Sequence, residues 1–334
     1  MLRTNSVDKQ SWLDRSKAFC AAVAIALPAA ILFAQPAAAQ TDVRVGKSSA
    51  ETFAFSPVHV GLQLGIFEEH GLNVSIADFG GGARLQQGMA AGAVDIGLGS
   101  GPELASIAKG NPAKGVAMFM GPPAMLVLLA NADDPEVQSA EDLEGGTVAV
   151  TQIGSLTAYL TQRLSAGLGW GPDGIQLVAL GDDRSRLAAL RTNQVDAIVI
   201  NTATALQLEK EGVGTIVARF GEYVTPFHNH VMYATNDFME QEPEAVRAFI
   251  EGWMETIEWM RENPEETVEM TKDIQGVDTD IGLAVFDEAM PAFSSDLRFD
   301  EAAMDLLSES WVENGTLDEE PDLSTLYTEE FLPQ

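Results

Sequence analysis

Cysteine is almost missing from this 334-residue chain: Cys20 is its single example, and it lies within the first forty residues. That excludes a disulfide scaffold and a thiolate metal site from the remainder. Basic residues are scarce as well, 19 Lys and Arg against 50 Asp and Glu, for a formal net charge of −31. Such a surface repels nucleic acid and anionic lipid, so neither is expected as a partner. Histidine occurs four times, which leaves little material for metal ligation. Long hydrophobic runs are few too. The longest, Ala18 to Phe33, is broken by Pro28 and is shorter than the ~20 residues a membrane span requires.

That run has another reading. Arg3, Lys9, Arg15 and Lys17 precede it and QPAAAQ follows, with Ala37 and Ala39 as the small residues of a cleavage site. Residues 1–39 therefore read as a secretory signal, and the mature chain is expected to start near Gln40 in an exported location. The leader has four basic and two acidic residues, a net of +2, so the mature chain would carry −33.

Beyond the leader, β-type runs alternate with helical patterns. VRVGKS, NVSIADF, DIGLG, TVAVT and DAIVI each precede a helix opening, near Ser56-Pro57, Ala83, Gly101-Pro102, Gly154-Ser155 and Thr202. This alternation predicts an α/β fold with parallel sheets and helices on both faces. Val246, Phe249, Ile250, Trp253, Ile257 and Met260 form one apolar stripe of a long helix, read as core.

The chain also echoes itself. LQQGMAAGAVDIGLGSG (85–101) and LAALRTNQVDAIVINT (187–202) align with a shift of 101 residues, which matches Gly92 with Asn193 and Asp95 with Asp196. Glycine and asparagine best tolerate the left-handed stop after a helix. The paired aspartates, in the same place in both copies, are read as backbone organisers. Two copies predict two similar lobes.

Catalytic signatures come close without being completed. Gly97-Leu98-Gly99-Ser100-Gly101-Pro102 lacks the last glycine of a dinucleotide fingerprint. Gly46-Lys47-Ser48 ends like a phosphate loop, but Thr41 stands where its first glycine belongs. Ser106–Lys109 has serine-acylase spacing without the accompanying motifs. His228 and His230 could share a strand face and bind a metal, but no third ligand is evident nearby in sequence. No catalytic residue, metal site or cofactor is assigned.

Three small-residue loops join a strand end to a helix start: Gly80–Ala83, Gly99–Gly101 and Ile153–Ser155. Helix N-termini offer free N–H groups at the crevice where α/β sheets bind ligands. The glycines imply a backbone close to a held anion, with Arg84 as a bidentate clamp.

The ordered segments FAFSPVHVGLQLGIFEEHGLNVSI, GGGARLQQGMAAGAVDIGLGSGPEL, SAEDLEGGTVAVTQIGSLT, LAALRTNQVDAIVINTATAL, PEAVRAFIEGWMETIEWMRENPEET and LYTEEFL resemble ABC-transporter substrate-binding proteins of the nitrate/sulfonate/taurine type, in the superfamily of thiamine-pyrimidine synthase. The resemblance covers residues 43–332. It implies a two-lobed type II periplasmic binding fold, two doubly wound sheets joined by two crossover strands. Lobe one would hold 40–130 and 234–334, lobe two 131–233, with AMLVLLAN and HVMYATN as crossovers. It further implies a periplasmic monomer that passes a small ligand to an inner-membrane ABC permease with its cytoplasmic ATPase.

The ligand contacts it implies are Phe53, Phe55, Gly82, Arg84, Ser100, Gly101 and Glu103 from lobe one. From lobe two come Gln152, Gly154, Ser155, Leu156, Thr157, Asp182, Asn201, Thr202, His228 and Asn229. Asn201-Thr202-Ala203, where relatives often carry proline or an aromatic residue, and the polar PFHNH are departures from the pattern. Two other functions share the fold: an enzyme of the pyrimidine or menaquinone-pathway type, and a periplasmic sensory module. The leader and the missing cysteine-rich stretch oppose the enzyme, and a permease and ATPase encoded alongside would favour transport over sensing.

Overall fold

The computed structural model describes residues 40–49, 52–153 and 155–333. The expected leader and Gly154 lie outside them. Among the described residues, ten strands form two five-stranded sheets. The first contains β1 (Thr41–Lys47), β2 (Leu72–Asp78), β3 (Ile96–Ser100), β4 (Ala113–Met120) and β10 (His230–Thr235), in the order β2-β1-β3-β10-β4. The second contains β5 (Leu126–Asn131), β6 (Thr147–Val150), β7 (Gln176–Ala179), β8 (Ala197–Asn201) and β9 (Gly214–Arg219), in the order β7-β6-β8-β5-β9. The two orders have the same topology.

Neither sheet is wholly parallel, which differs from the simplest reading of the alternation. β10 runs antiparallel to β3 and β4, and β5 runs antiparallel to β8 and β9. The reason is the route of the chain. Each of these strands follows a strand of the other sheet through a short link, Gly121–Met125 or Phe220–Asn229, and enters at the edge where its new neighbours end. Leu126 pairs with Asn201, the last residue of β8, and His230 pairs with Ser100 and Met120, the last residues of β3 and β4. The chain changes sheet a few residues ahead of the junctions expected at 130/131 and 233/234.

The internal echo is structural. Helices Gly82–Ala90 and Asp183–Arg191 and strands β3 and β8 keep the 101-residue shift. Gly92 and Asn193 both take left-handed backbone, with φ of 69° and 51°. Asp95 Oδ2 accepts from the Arg44 N–H at 2.8 Å, and Asp196 Oδ2 from the Thr147 N–H at 2.6 Å. Each aspartate thus ties the start of the third strand of its unit to the first, the backbone-organising role its placement implied. The Arg44 guanidinium adds an ion pair to Asp95 alone.

Helix Pro243–Glu262 lays its apolar stripe on the first sheet, and Val246, Phe249, Ile250, Trp253, Ile257 and Met260 are all buried. Proline at its first turn loses no hydrogen bond, since that N–H has no partner within a helix. A fully buried side chain of this kind contributes ~1.5–3 kcal/mol. Ser139 and Asp142 form the expected capping pair, over a 3-10 turn, Ala140–Leu143, instead of a full helix. The second sheet is braced on the first core by helix Thr202–Lys210. Its Ala203 belongs to that core, and Lys210 pairs with Asp280 at 2.7 Å on helix Thr279–Ala289. Arg219 at the end of β9 pairs with Glu288 of the same helix at 2.6 Å.

Candidate functional site

Both links join the C-terminal edge of one sheet to the C-terminal edge of the other. The two edges are therefore held together, and every loop expected to contact ligand lies at one of them. Strand ends there are followed by helix starts, which present unpaired N–H groups.

At the first edge, the glycines answer mostly to the protein's own groups. A Cβ on Gly82 would lie 2.0 Å from Glu103 Oε1, and one on Gly99 2.4 Å from Glu103 Oε2. Both residues make room for a carboxylate that fills the start of helix Gly82–Ala90. Glu103 accepts from the Ser100 N–H (3.1 Å), Ser100 Oγ (2.9 Å) and Gln86 Nε2 (3.3 Å). Burial raises its pKa, and the bonds from Ser100 and Gln86 oppose that shift. Gly101 has the closest backbone approach: a Cβ would meet the His228 carbonyl oxygen at 2.0 Å. Gly80 and Gly81 differ, with φ of 63° and 154°, and no atom of the protein crowds Gly81. At Gly81 the loop opens toward free space, whereas a Cβ on Gly80 would meet Arg84 Nη1 at 3.4 Å; Arg84 itself is exposed.

Phe53 and Phe55 have their rings in the core at this edge, each 1% exposed, with Phe53 edge-on to Phe286 and Phe55 edge-on to His230. His230 stacks on Phe119 at 5.7 Å, and its Nδ1 lies 3.2 Å from the Gly99 carbonyl. His228 turns elsewhere: its Nε2 accepts from the Asp300 N–H at 3.0 Å and its ring meets Phe299 edge-on. Burial lowers both pKa values to about 4, so both rings are neutral at pH 7. His228 lies in the link before β10 and only His230 is on the strand, so the expected shared strand face is not formed and the two rings turn to different partners. No group of three or more candidate metal ligands occurs among the described residues. Asn229 is fully buried in the link, its N–H donating to the Gly121 carbonyl and its carbonyl accepting from Gly101.

At the second edge, Thr151, Ser155 and Thr157 close a triangle of hydroxyls at 2.8–2.9 Å, and Ser155 Oγ caps helix Leu156–Gly167. Gln152 and Ile153 project from that loop, while Leu156 is half-buried. Asp182 caps helix Asp183–Arg191 through the Ser185 N–H, a bond that lowers its pKa. Asn201 caps helix Thr202–Lys210 through the Thr204 N–H, as Ser100 and Glu103 do at the equivalent place. Thr202 Oγ1 donates to the Ala124 carbonyl, which ties β8 to the first link. Phe227 of the other link stacks on Tyr159.

Sequence reasoning passed over a further cluster. Lys47 Nζ lies 2.7 Å from His59 Nε2 and 3.1 Å from Asp78 Oδ1, buried at the ends of β1 and β2. Burial first, then the Lys47 charge, lowers the His59 pKa to about 4. Strand register sets Lys47 beside Asp78. The signal available beforehand was a charged residue ending an apolar strand, in a fragment set aside as an incomplete phosphate loop. Arg186 was also missed. It is buried in the second unit, bonded to Asp183 and the Gly181 carbonyl.

The family model described as NMT1/THI5 like matches residues 52–267. The chain belongs to the NMT1/THI5-like family. Within it, the chain is 29% identical over 213 residues to the taurine-binding periplasmic protein of Escherichia coli (strain K12), a match covering 62% of this chain and 63% of that relative. It is 23% identical over 293 residues to the 4-amino-5-hydroxymethyl-2-methylpyrimidine phosphate synthase of Legionella pneumophila, covering 83% and 88%. The solved alkanesulfonate-binding protein SsuA of Xanthomonas axonopodis pv. citri superposes with a TM-score of 0.71 at 16% identity, over 87% of this chain and 99% of that one. The NMT1/THI5-like chain thus has the fold of periplasmic binding proteins.

Proposed function

We propose that this protein is the periplasmic substrate-binding component of an ABC importer, exported by a cleaved leader. In this reading it captures a small organic anion, or a sulfonate- or nitrate-like one, between two lobes and delivers it to an inner-membrane permease with its ATPase. The lobes expected at 40–130 with 234–334 and at 131–233 follow the two sheets, except that β5 falls with the second sheet and β10 with the first. The observation that carries the reading is the pair of links that set two strand-end edges against each other, since strand C-termini are where such sheets hold ligands. Hinge motion at the links closes the lobes on the guest. The family and the taurine- and alkanesulfonate-binding relatives support the ligand class.

Ligand contacts in this proposal are of two kinds. Arg84, Gln152 and Asp182, which are exposed, and Ser155 and Leu156, which are half-buried, would touch the guest directly. Phe53, Phe55, Gly82, Ser100, Gly101, Glu103, Thr157, Asn201, Thr202, His228 and Asn229 shape its walls or offer backbone groups, and Gly154 belongs to the same loop. Purified protein should be screened by thermal shift against nitrate, taurine, alkanesulfonates, carboxylates and pyrimidines. A ligand at 100 times its dissociation constant adds ~2.7 kcal/mol of stability. Arg84→Ala should weaken an anionic ligand by ~1.5–3 kcal/mol, the worth of a charge-assisted hydrogen bond. No response to any member of the panel would refute the receptor reading.

The synthase relative favours one competing reading, an enzyme on the same fold. Turnover of a bound pyrimidine, followed by mass spectrometry, would establish it.

A further inference from the structure

This inference rests on the receptor reading and names how its two lobes part. Besides the two links, two C-terminal helices on the side of the first sheet reach the helices of the second. Helix Thr279–Ala289 packs on helix Thr202–Lys210. At one end Lys210 pairs with Asp280 at 2.7 Å and lies 3.9 Å from Asp278; at the other, Arg219 pairs with Glu288 at 2.6 Å. Exposed pairs contribute little, but Arg219 and Glu288 are both half-buried, which shields them from screening by salt. Apolar contact continues between the charges. Ile281, Val285 and Phe286 lie in the first core, and Ala203 is buried in that same core with Leu206 packed against it.

The second contact lies on the opposite face of the second sheet. Ala205 and Leu208 cluster with Val127, Leu129 and Ile198, whereas Tyr159 and Leu160 of helix Leu156–Gly167 cluster with Leu128, Val148 and Val199. Alternate residues of a strand face opposite sides, so the two helices cover different faces. Tyr159 lies among Glu309, Ser310 and Glu313 of helix Glu301–Glu313, whose Met304 and Leu307 belong to its apolar cluster. Among the described residues, the ion pairs between the two sides are those of Lys210 and Arg219, so none crosses this flank. The Tyr159 side chain is buried and its hydroxyl makes no hydrogen bond, while Ser310 Oγ turns to the Leu307 carbonyl at 2.7 Å. A buried, unbonded hydroxyl is costly and regains water when such a contact parts.

We infer that the lobes open unevenly: helix Thr279–Ala289 stays on helix Thr202–Lys210 as the pivot, and the contact of Tyr159 with helix Glu301–Glu313 parts. Arg219 and Glu288 are then positioning residues for closure that do not touch the guest.

The chain beyond the expected leader contains no cysteine, so introduced cysteine pairs carry spin labels without background. Double electron–electron resonance on ligand-free protein compares two pairs of exposed positions. Glu211→Cys with Asp273→Cys spans the pivot, and Ala166→Cys with Asp305→Cys spans the other flank. The pivot pair should give one narrow distance and the other pair a broad or two-peaked distribution. Lys210→Gln with Arg219→Gln should broaden the pivot distance. Tyr159→Phe removes the unbonded hydroxyl and should lower the long-distance population across its flank about fivefold or more, the equivalent of ~1 kcal/mol. Melting temperatures check that the variants fold. Equal widths at the two flanks, a pivot width unchanged by the Lys210 and Arg219 substitutions, or a Tyr159→Phe distribution like that of wild type overturns the inference. These distances are read without ligand, so any such result leaves the receptor reading standing, and silence across the thermal-shift panel removes that reading whatever the distances are.

Discussion

His228 should contribute a share of the protein's acid sensitivity, and one substitution removes that share. Its ring is 1% exposed, its Nε2 accepts from the Asp300 N–H, and burial holds its pKa at about 4 against an ordinary 6.5. Between those values the unfolded chain binds a proton that the folded chain refuses. Stability attached to this group is thus complete above pH 6.5 and is lost as pH falls toward 4. The loss at pH 5, relative to pH 7.5, works out at ~2 kcal/mol. His228→Gln keeps an acceptor for the Asp300 N–H and does not titrate. Urea unfolding of both proteins at pH 7.5 and pH 5.0 gives the comparison. The variant should be weaker at pH 7.5 from poorer packing, yet its fall between the two pH values should be ~2 kcal/mol smaller. Comparing differences cancels the easing of self-repulsion that acid brings to a chain of net charge −31. Identical pH dependence in the two proteins would refute the claim that His228 is folded as a neutral ring.

The strand-tying aspartate of the second unit gives a stability prediction: Asp196→Ala should cost ~1.5–3 kcal/mol by chemical denaturation, since the Thr147 N–H loses a charged acceptor. Gly82→Ala should destabilise by ~1–3 kcal/mol through its clash with the Glu103 carboxylate, and Glu103→Ala in the same chain should recover part of that loss. Additive losses in the double variant would show that the two groups do not meet.

Much of the architecture was legible beforehand because it depends on local patterns. The apolar stripe of helix Pro243–Glu262, the left-handed stops at Gly92 and Asn193, and the capping pair Ser139–Asp142 each involve residues a few positions apart. The 101-residue echo extended that local knowledge to two related units. The antiparallel course of β5 and β10 was not legible, because strand direction depends on which edge a link reaches.

The glycine run shows the division most clearly. Composition alone says that a backbone there must approach something closely; it cannot name what. In the fold, Gly82 and Gly99 yield to Glu103 and Gly101 yields to the His228 carbonyl, which leaves Gly81 open. Lys47, His59 and Asp78 are likewise separate in the chain and meet only through strand register and one helix turned over the sheet. Sequence determined the fold class, the duplicated unit and the scarcity of catalytic groups, all of which follow from residue type and short spacing. Tertiary structure decided which charges are already neutralised and which side chains still face open space, because pairing and burial depend on neighbours that lie tens of residues away.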